Sequence, residues 1–366
     1  MKRQIKQLMQ QRKLAKLTQP GQQRGQKQNI RHILVAAVIL AAVLSGCGDA
    51  GLEDELAYRQ IGIESMETGD YEGAIVAFNA ALSQRIGKIT ETELDICYYK
   101  AAAQYASGDH EAALATYDAL LDYKEENANA HYLRGCLLLQ MEEQERALKD
   151  FSDAVKYNED EYELYINIYE NLSAYNLITE GEEYLNKAFD IKGNNAENSA
   201  WRGKIYYLLG QYDNAKTELI TAIDKGNVQA NLTMAQVCEA LGDAASAENY
   251  YQVYVASGSA DSTAMNALAE IEIENGNYEA ALEYIHQGLA MEYVPNQQEL
   301  MQNEIIASEY AGDFANAWAV VQEYITLYPE DASAQREYTF LKNRQGVKEP
   351  ATEEITEDTE STEQTP

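Results

Sequence analysis

Histidine, cysteine and proline are scarce in this chain, and each scarcity narrows what the protein does. Four histidines and four cysteines among 366 residues leave few groups for metal or nucleophilic chemistry. His110, His131 and His286 are widely separated. No His-Glu-x-x-His pair, Cys-x-x-Cys pair, phosphate-cradling glycine loop or nucleophile elbow is present. The acidic run Asn158-Glu159-Asp160-Glu161 lacks the glycine and terminal glutamate of a calcium loop. The chain is therefore expected not to be an enzyme and to need no cofactor or metal. Cys97, Cys136 and Cys238 each fall within an apolar helical pattern, where burial as small hydrophobes is expected rather than pairing. With only five prolines and 46% hydrophobic residues, one long helical array can absorb the length, because such arrays need not close around a single core.

Basic residues are also in deficit: 28 Lys and Arg stand against 60 Asp and Glu, a net charge of −32. The imbalance is uneven. Residues 1–46 hold nine bases and no acid, which leaves −41 on the remainder. So acidic a body repels nucleic acid, and no nucleic-acid partner is expected. The uncharged apolar run at residues 33–44, ILVAAVILAAVL, falls short of the roughly 20 residues a membrane-spanning helix needs.

That run follows the basic start and precedes Ser45-Gly46-Cys47-Gly48-Asp49. A basic beginning, a short apolar core and small residues before a cut describe an export signal. The stretch Leu44-Ser45-Gly46-Cys47 resembles the lipobox of bacterial lipoproteins, an apolar residue and two small ones ahead of a cysteine. The resemblance implies that residues 1–46 are a lipoprotein signal peptide, that the Cys47 thiol receives diacylglycerol, and that cleavage leaves Cys47 as the mature N-terminus. The alternative is an ordinary signal peptide with Cys47 there by chance. Two or more acyl chains hold far better than one, at about 0.8 kcal/mol per buried methylene. The expected location is thus the extracytoplasmic face of a cell membrane, lipid-anchored. Residues 47–54 read as a short polar linker that reaches only about 27 Å when extended.

Beyond the linker a lattice recurs close to every 34 residues. Turn positions fall at Gly69, Gly108, Glu142, Asn176, Gly210, Gly242, Gly276 and Gly312. Five residues after each stands a small one: Ala74, Ala113, Ala147, Gly181, Ala215, Ala247, Ala281 and Ala317. A period of about 34 is the signature of a helix–turn–helix solenoid. The first unit, with Tyr58, Gly62, Gly69-Asp70-Tyr71, Ala74, Phe78 and Ala81, resembles the tetratricopeptide repeat (TPR), as does the last with Gly312-Asp313-Phe314, Ala317 and Pro329. The resemblance implies an all-α TPR-type solenoid, a right-handed superhelix of about eight repeats over residues 55–329. Residues 330–346 then read as a capping helix, and 347–366, acidic and without apolar period, as a disordered tail.

Each lattice position has a physical reason. Glycine after helix A takes the left-handed conformation that ends a helix. Asp70, Asp109, Asp243 and Asp313 follow it, suited to cap the amides that open helix B. Alanine lets the two helices approach, and Phe78, Tyr117, Phe151 or Tyr251 fills the space between neighbours. The fourth unit is the weakest, with Asn176 at the turn and Gly181 for alanine. Glu142 fits its turn poorly, and a differently shaped turn is expected there.

TPR geometry implies a concave face lined mainly by helix A, with Tyr98, Tyr105, Tyr132 and Tyr207 on it beside Glu170, Lys204, Gln236 and Glu270. Twenty-seven tyrosines against five phenylalanines favour recognition, since tyrosine offers apolar area plus a hydroxyl at small entropic cost. The competing reading is that these tyrosines pack between helices. The Lys/Asn/Arg clamp by which some TPR domains grip a C-terminal carboxylate is not supplied by Tyr98, Ala102, Tyr132, Cys136, Ile166 and Glu170. The sequence thus points to a membrane-anchored scaffold for protein or peptide partners of the cell envelope. A carbohydrate-binding lipoprotein on a helical-repeat frame is the alternative.

Overall fold

The computed structural model describes residues 50–84 and 89–344. Among them lie seventeen α-helices and no strand, so the fold is all-α. The first eight are α1 (Ala50–Glu67), α2 (Tyr71–Ser83), α3 (Glu91–Ser107), α4 (His110–Tyr123), α5 (Ala128–Gln140), α6 (Gln144–Tyr157), α7 (Tyr162–Ala174) and α8 (Ile178–Lys187). There follow α9 (Ala196–Leu208), α10 (Tyr212–Asp224), α11 (Ala230–Ala240), α12 (Ala244–Tyr254), α13 (Ser262–Glu274), α14 (Tyr278–Leu289), α15 (Gln297–Tyr310), α16 (Phe314–Leu327) and α17 (Ala332–Arg344). Odd numbers up to α15 are the A helices of eight pairs and even numbers the B helices. The signal segment, Cys47 and the acidic tail lie outside the described residues.

Residues 50–54, expected to be linker, are instead the first turn and a half of α1. Leu52, Glu53 and Glu55 are good helix formers, and Glu53 places a negative charge in the first turn, where the helix dipole favours it. The array also divides where the sequence reads as continuous: one compact unit ends at Ala260 and the second begins at Asp261. Between them, α12 gives way to the π-helical turn Val255–Ser259, in which Gly258 is left-handed at φ 79°. The first unit is a solenoid of six helix–turn–helix pairs. The second holds two pairs and α17.

All eight lattice turns are left-handed, with φ from 62° at Asn176 to 95° at Gly108. Glu142 joins them at φ 65°. Its turn therefore has the same shape as the glycine turns, contrary to the sequence reading. The cause is visible in the hydrogen bonds: Glu142 N–H donates to the Leu139 carbonyl (3.1 Å) and Glu143 N–H to that of Leu138 (2.9 Å). The pattern repeats at Gly108, where Asp109 N–H reaches Gln104 O at 3.0 Å. Satisfying these orphan carbonyls holds the residue in a conformation that its side chain disfavours. The four aspartates act as expected. Asp70, Asp109, Asp243 and Asp313 accept from the N–H of Gly73, Ala112, Ser246 and Asn316 at 3.0–3.2 Å.

A second lattice sets the spacing within each pair. Seven residues before each turn, helix A places Gly62, Ala101, Gly135, Tyr169, Gly203, Ala235, Ala269 or Ile305. Nine residues after the turn, helix B answers with Phe78, Tyr117, Phe151, Leu185, Leu219, Tyr251, Ile285 or Val321, each at most 2% exposed. A Cβ built on Gly62 would run into Phe78 Cε1, and one on Gly135 would stand 2.7 Å from Phe151 Cε1. The weak fourth pair exchanges volumes. Tyr169 is large on helix A, and the missing alanine, Gly181, makes room for it, its Cβ position being 3.0 Å from Tyr169 Cδ2.

In the second unit α17 packs its Ala334 and Leu341 against the cluster of Val321, Tyr324 and Tyr328. Tyr338 stacks on Trp318 at 5.0 Å, and the Arg344 guanidinium lies 3.6 Å from the centre of the Phe314 ring. This is the capping helix read from the sequence, and its polar outer face closes the array's open end.

Candidate partner-binding cleft

Within the first unit, α5, α7, α9 and α11 line a cleft of about 1090 Å³. Its lining follows a register on helix A. Thirteen residues before successive turns stand Asn129, Glu163, Glu197 and Gln229; nine before, Leu133, Asn167, Trp201 and Thr233; six before the last three, Glu170, Lys204 and Gln236. Steps of four and three residues keep these side chains on one helical stripe. Stacking the helices then lays the stripes side by side.

Of the residues expected on the inner face, Tyr132, Tyr207, Glu170, Lys204 and Gln236 meet in this cleft. Tyr132 is tilted against Phe151 at 6.1 Å, and its hydroxyl accepts from Asn171 Nδ2 at 3.0 Å. Burial holds its phenol well above the ordinary value, with Cys136 and Glu170 adding to the shift. Tyr207 is tilted against Tyr212 at 6.2 Å. Burial, and then the charge of Glu239, raise its phenol as well. Trp201 stacks on Tyr162 at 6.4 Å, with Lys204 Nζ 5.9 Å from its ring centre.

Tyr98 and Tyr105 do not line the cleft. Tyr98 is buried, and its hydroxyl donates to Asn127 Oδ1 at 2.7 Å. The same oxygen accepts from Ala130 N–H at 3.2 Å, so Tyr98 locks the cap of the following A helix. Tyr105 stacks on His110 at 5.5 Å. Glu270 belongs to the second unit, where it accepts from Asn266 at 2.8 Å and Asn303 at 3.1 Å. Trp201, Asn129, Glu163 and Glu197 were missed by the sequence reading. Extending the register of Glu170 and Lys204 back along helix A finds them.

The other chemistry-bearing groups are tied into the frame. Among the described residues one cluster has metal-ligand spacing: His131, Asp150 and Asp153. Arg134 already fills the cation's place, donating from Nε to Asp150 Oδ2 and from an η nitrogen to Oδ1, both at 2.7 Å. His131 Nδ1 lies 3.0 Å from Asp150 Oδ1, and Nε2 lies 2.9 Å from the Glu125 carbonyl. Burial alone would raise the Asp150 carboxyl. The hydrogen bonds and charges of Arg134 and His131 outweigh it and hold the group below its usual range. This is a buried ion-pair network that joins α5 to α6. His286 lies 3.0 Å from Glu304 in the second unit. Cys97, Cys136 and Cys238 are free thiols, and burial pushes Cys136 up to about 12.

A family model described as tetratricopeptide repeat matches residues 98–165, 202–262 and 233–291. The chain is a tetratricopeptide repeat protein. Solved structures of similar fold include a tetratricopeptide repeat protein from Parabacteroides merdae, 14% identical with a TM-score of 0.48 over 70% of this chain and 99% of that one. Pseudomonas aeruginosa PilF aligns at 16% identity and TM-score 0.42, over 59% of this chain and 97% of its own. The C-terminal part of a repeat-containing protein from Cytophaga hutchinsonii aligns at 14% and 0.37, over 76% and 98%. Likeness at these levels carries no argument about partner or site. No curated protein matches the sequence. The repeat fold itself is a scaffold suited to protein–protein interaction, and such scaffolds bind protein or peptide partners.

Proposed function

We propose that this chain is a membrane-anchored bacterial lipoprotein that scaffolds other cell-envelope proteins, held at the extracytoplasmic face through acyl chains on Cys47. The observation that carries the binding half is the cleft, about 1090 Å³, where four successive A helices present polar and aromatic side chains in one register. The anchoring half rests on Leu44-Ser45-Gly46-Cys47 after a basic start and a short apolar run. No catalytic role is assigned to the chain.

Two experiments test the two halves. Metabolic labelling with a fatty-acid probe is expected to mark the wild-type chain and to vanish in Cys47→Ala; continued labelling of that variant removes the anchor. Pull-down from envelope extract is expected to retain protein partners, and to lose them when Tyr207 and Gln236 are both replaced by alanine. Partners that bind the double variant unchanged would move the interaction away from the cleft.

A further inference from the structure

We infer that the cleft takes an extended peptide segment bearing lysine or arginine, its cation held among Glu163, Glu170 and Glu197. The inference rests on the reading of the cleft as a protein-binding surface, and specifies the chemistry of what enters it. Charge is the first support. The lining contains four carboxylates, those of Glu161, Glu163, Glu170 and Glu197, against one ammonium, that of Lys204. Glu163, Glu170 and Glu197 are exposed and come from two different A helices, so negative potential extends along the cleft. With −41 on the chain after residue 46, a cationic partner is steered towards it and an acidic one repelled.

The state of the aromatic rings decides between a peptide and a glycan. A sugar stacks on an open ring face. Trp201 is already stacked on Tyr162 and has Lys204 over it, Tyr132 is tilted against Phe151, and Tyr207 against Tyr212. These rings have their neighbours in the fold, which leaves fewer open faces for a sugar to stack on. The primary amides of Asn129 and Gln236, on the first and last of the four helices, each carry donor and acceptor side by side, matching the N–H and C=O of an extended backbone.

The chain has two tryptophans, so Trp318→Phe leaves Trp201 as the sole reporter, seated in the cleft. In that full chain at low salt, a short peptide of alternating serine and lysine is expected to shift Trp201 emission. It should bind about tenfold or more tightly than its serine–glutamate counterpart, with affinity falling as salt rises. Glu170→Gln with Glu197→Gln is expected to weaken that binding about fivefold or more. Glu145→Gln with Glu182→Gln removes the same charge from exposed B-helix sites outside the lining, and is expected to change it less than about twofold. Equal losses from both pairs would overturn the inference, because diffuse attraction then explains the binding. A serine–glutamate or serine–glycine peptide that shifts Trp201 as strongly would also overturn it, while leaving the protein-binding reading in place. A shift with chitotetraose alone would sink both, and no shift with any peptide would overturn the inference while the pull-down still decides the protein-binding reading.

Discussion

Replacing Gly135 by alanine sets two effects of opposite sign against each other. Gly135 lies inside α5, where helix propensity alone predicts that alanine stabilises by about 1 kcal/mol. The added Cβ, however, would lie 2.7, 2.9 and 3.2 Å from Cε1, Cδ1 and Cζ of Phe151. Carbon atoms prefer about 3.5–4.0 Å, so three ring atoms are intruded upon at once. Phe151 is 0% exposed and its ring rests on Tyr132, so it has nowhere to retreat. Overpacking of this kind costs about 1–3 kcal/mol. Packing therefore wins, and Gly135→Ala is expected to be net destabilising by about 1 kcal/mol.

The seventh pair sets Ala269 against the smaller Ile285, whereas the second and sixth accommodate Ala101 and Ala235 opposite Tyr117 and Tyr251 at their own helix spacing. Phe151→Ile is accordingly expected to reverse the sign of Gly135→Ala, which a double-mutant cycle reads as a coupling of about 1 kcal/mol. Repeat arrays unfold in parts, so a single melting curve averages over them. Urea unfolding should be joined to hydrogen exchange of the α5 and α6 amides, where the loss of protection is expected to concentrate. If Gly135→Ala stabilises these helices in the Phe151 background, close approach is not what excludes a side chain there, and the volume lattice fails as an explanation.

Glu142→Gly should stabilise α5 and α6 by about 1 kcal/mol, because a left-handed L-residue becomes glycine at φ 65°. Asn176→Gly should gain only a few tenths, since asparagine tolerates that conformation; chemical denaturation of both variants checks the order. Asp150→Ala removes the carboxylate that Arg134 and His131 share, leaves Arg134 its pair with Asp118 at 2.7 Å, and should cost about 1.5–3 kcal/mol. Because Asp150 is held below the usual carboxylate range, its contribution is present above the unfolded-state value and lost as pH falls through the folded one. The stability gap between wild type and Asp150→Asn should therefore narrow on acidification, read as melting temperature against pH. Glu309 moves the opposite way. Burial, then a hydrogen bond and the charge of Glu337, raise it from 4.5 to about 7. Stability it supports below its unfolded value is lost as pH rises through 7. Partial exposure screens the effect to about 1 kcal/mol. Protection of α17 amides, after correction for the intrinsic pH dependence of exchange, should fall between about pH 5 and 7 in wild type and stay level in Glu309→Gln.

The turn lattice was legible because a left-handed helix end selects for glycine or asparagine at a single position. At Glu142 the same geometry was not legible, since there the pairing of Leu138 and Leu139 carbonyls enforces what the residue type disfavours. The division after Ala260 was hidden for a different reason: it falls between two lattice turns, Gly242 and Gly276, where the 34-residue period carries no signal. The cleft was half legible. Tyr98 and Tyr132 share one register, each ten residues before its turn, yet only Tyr132 lines the cleft. Tyr98 stands on α3, outside the four helices that line the cleft, and the two hydroxyls also meet different neighbours. Asn127 stands ready to accept the Tyr98 hydroxyl, whereas Asn171 donates to that of Tyr132. A side chain's fate here is a property of a pair, and a single position does not record it.

Helix A thus carries two sets of positions that hardly overlap. Seven residues before the turn, side chains that are small in six of the eight pairs set the distance to helix B, and their partners are at most 2% exposed. Thirteen, nine and six residues before it, side chains line the cleft, and Glu163, Glu170 and Glu197 among them are exposed. Surface substitutions away from buried partners usually change stability by less than about 0.5 kcal/mol, whereas changes in the spacing set cost several times that. Recognition at this cleft can therefore be altered residue by residue without loosening the array. The exceptions are lining residues that also pack: Leu133, Leu164 and Thr233 are buried, and Tyr132 packs its ring on Phe151 while its hydroxyl holds Asn171. Replacing any of these should change binding and the stability of its helix together.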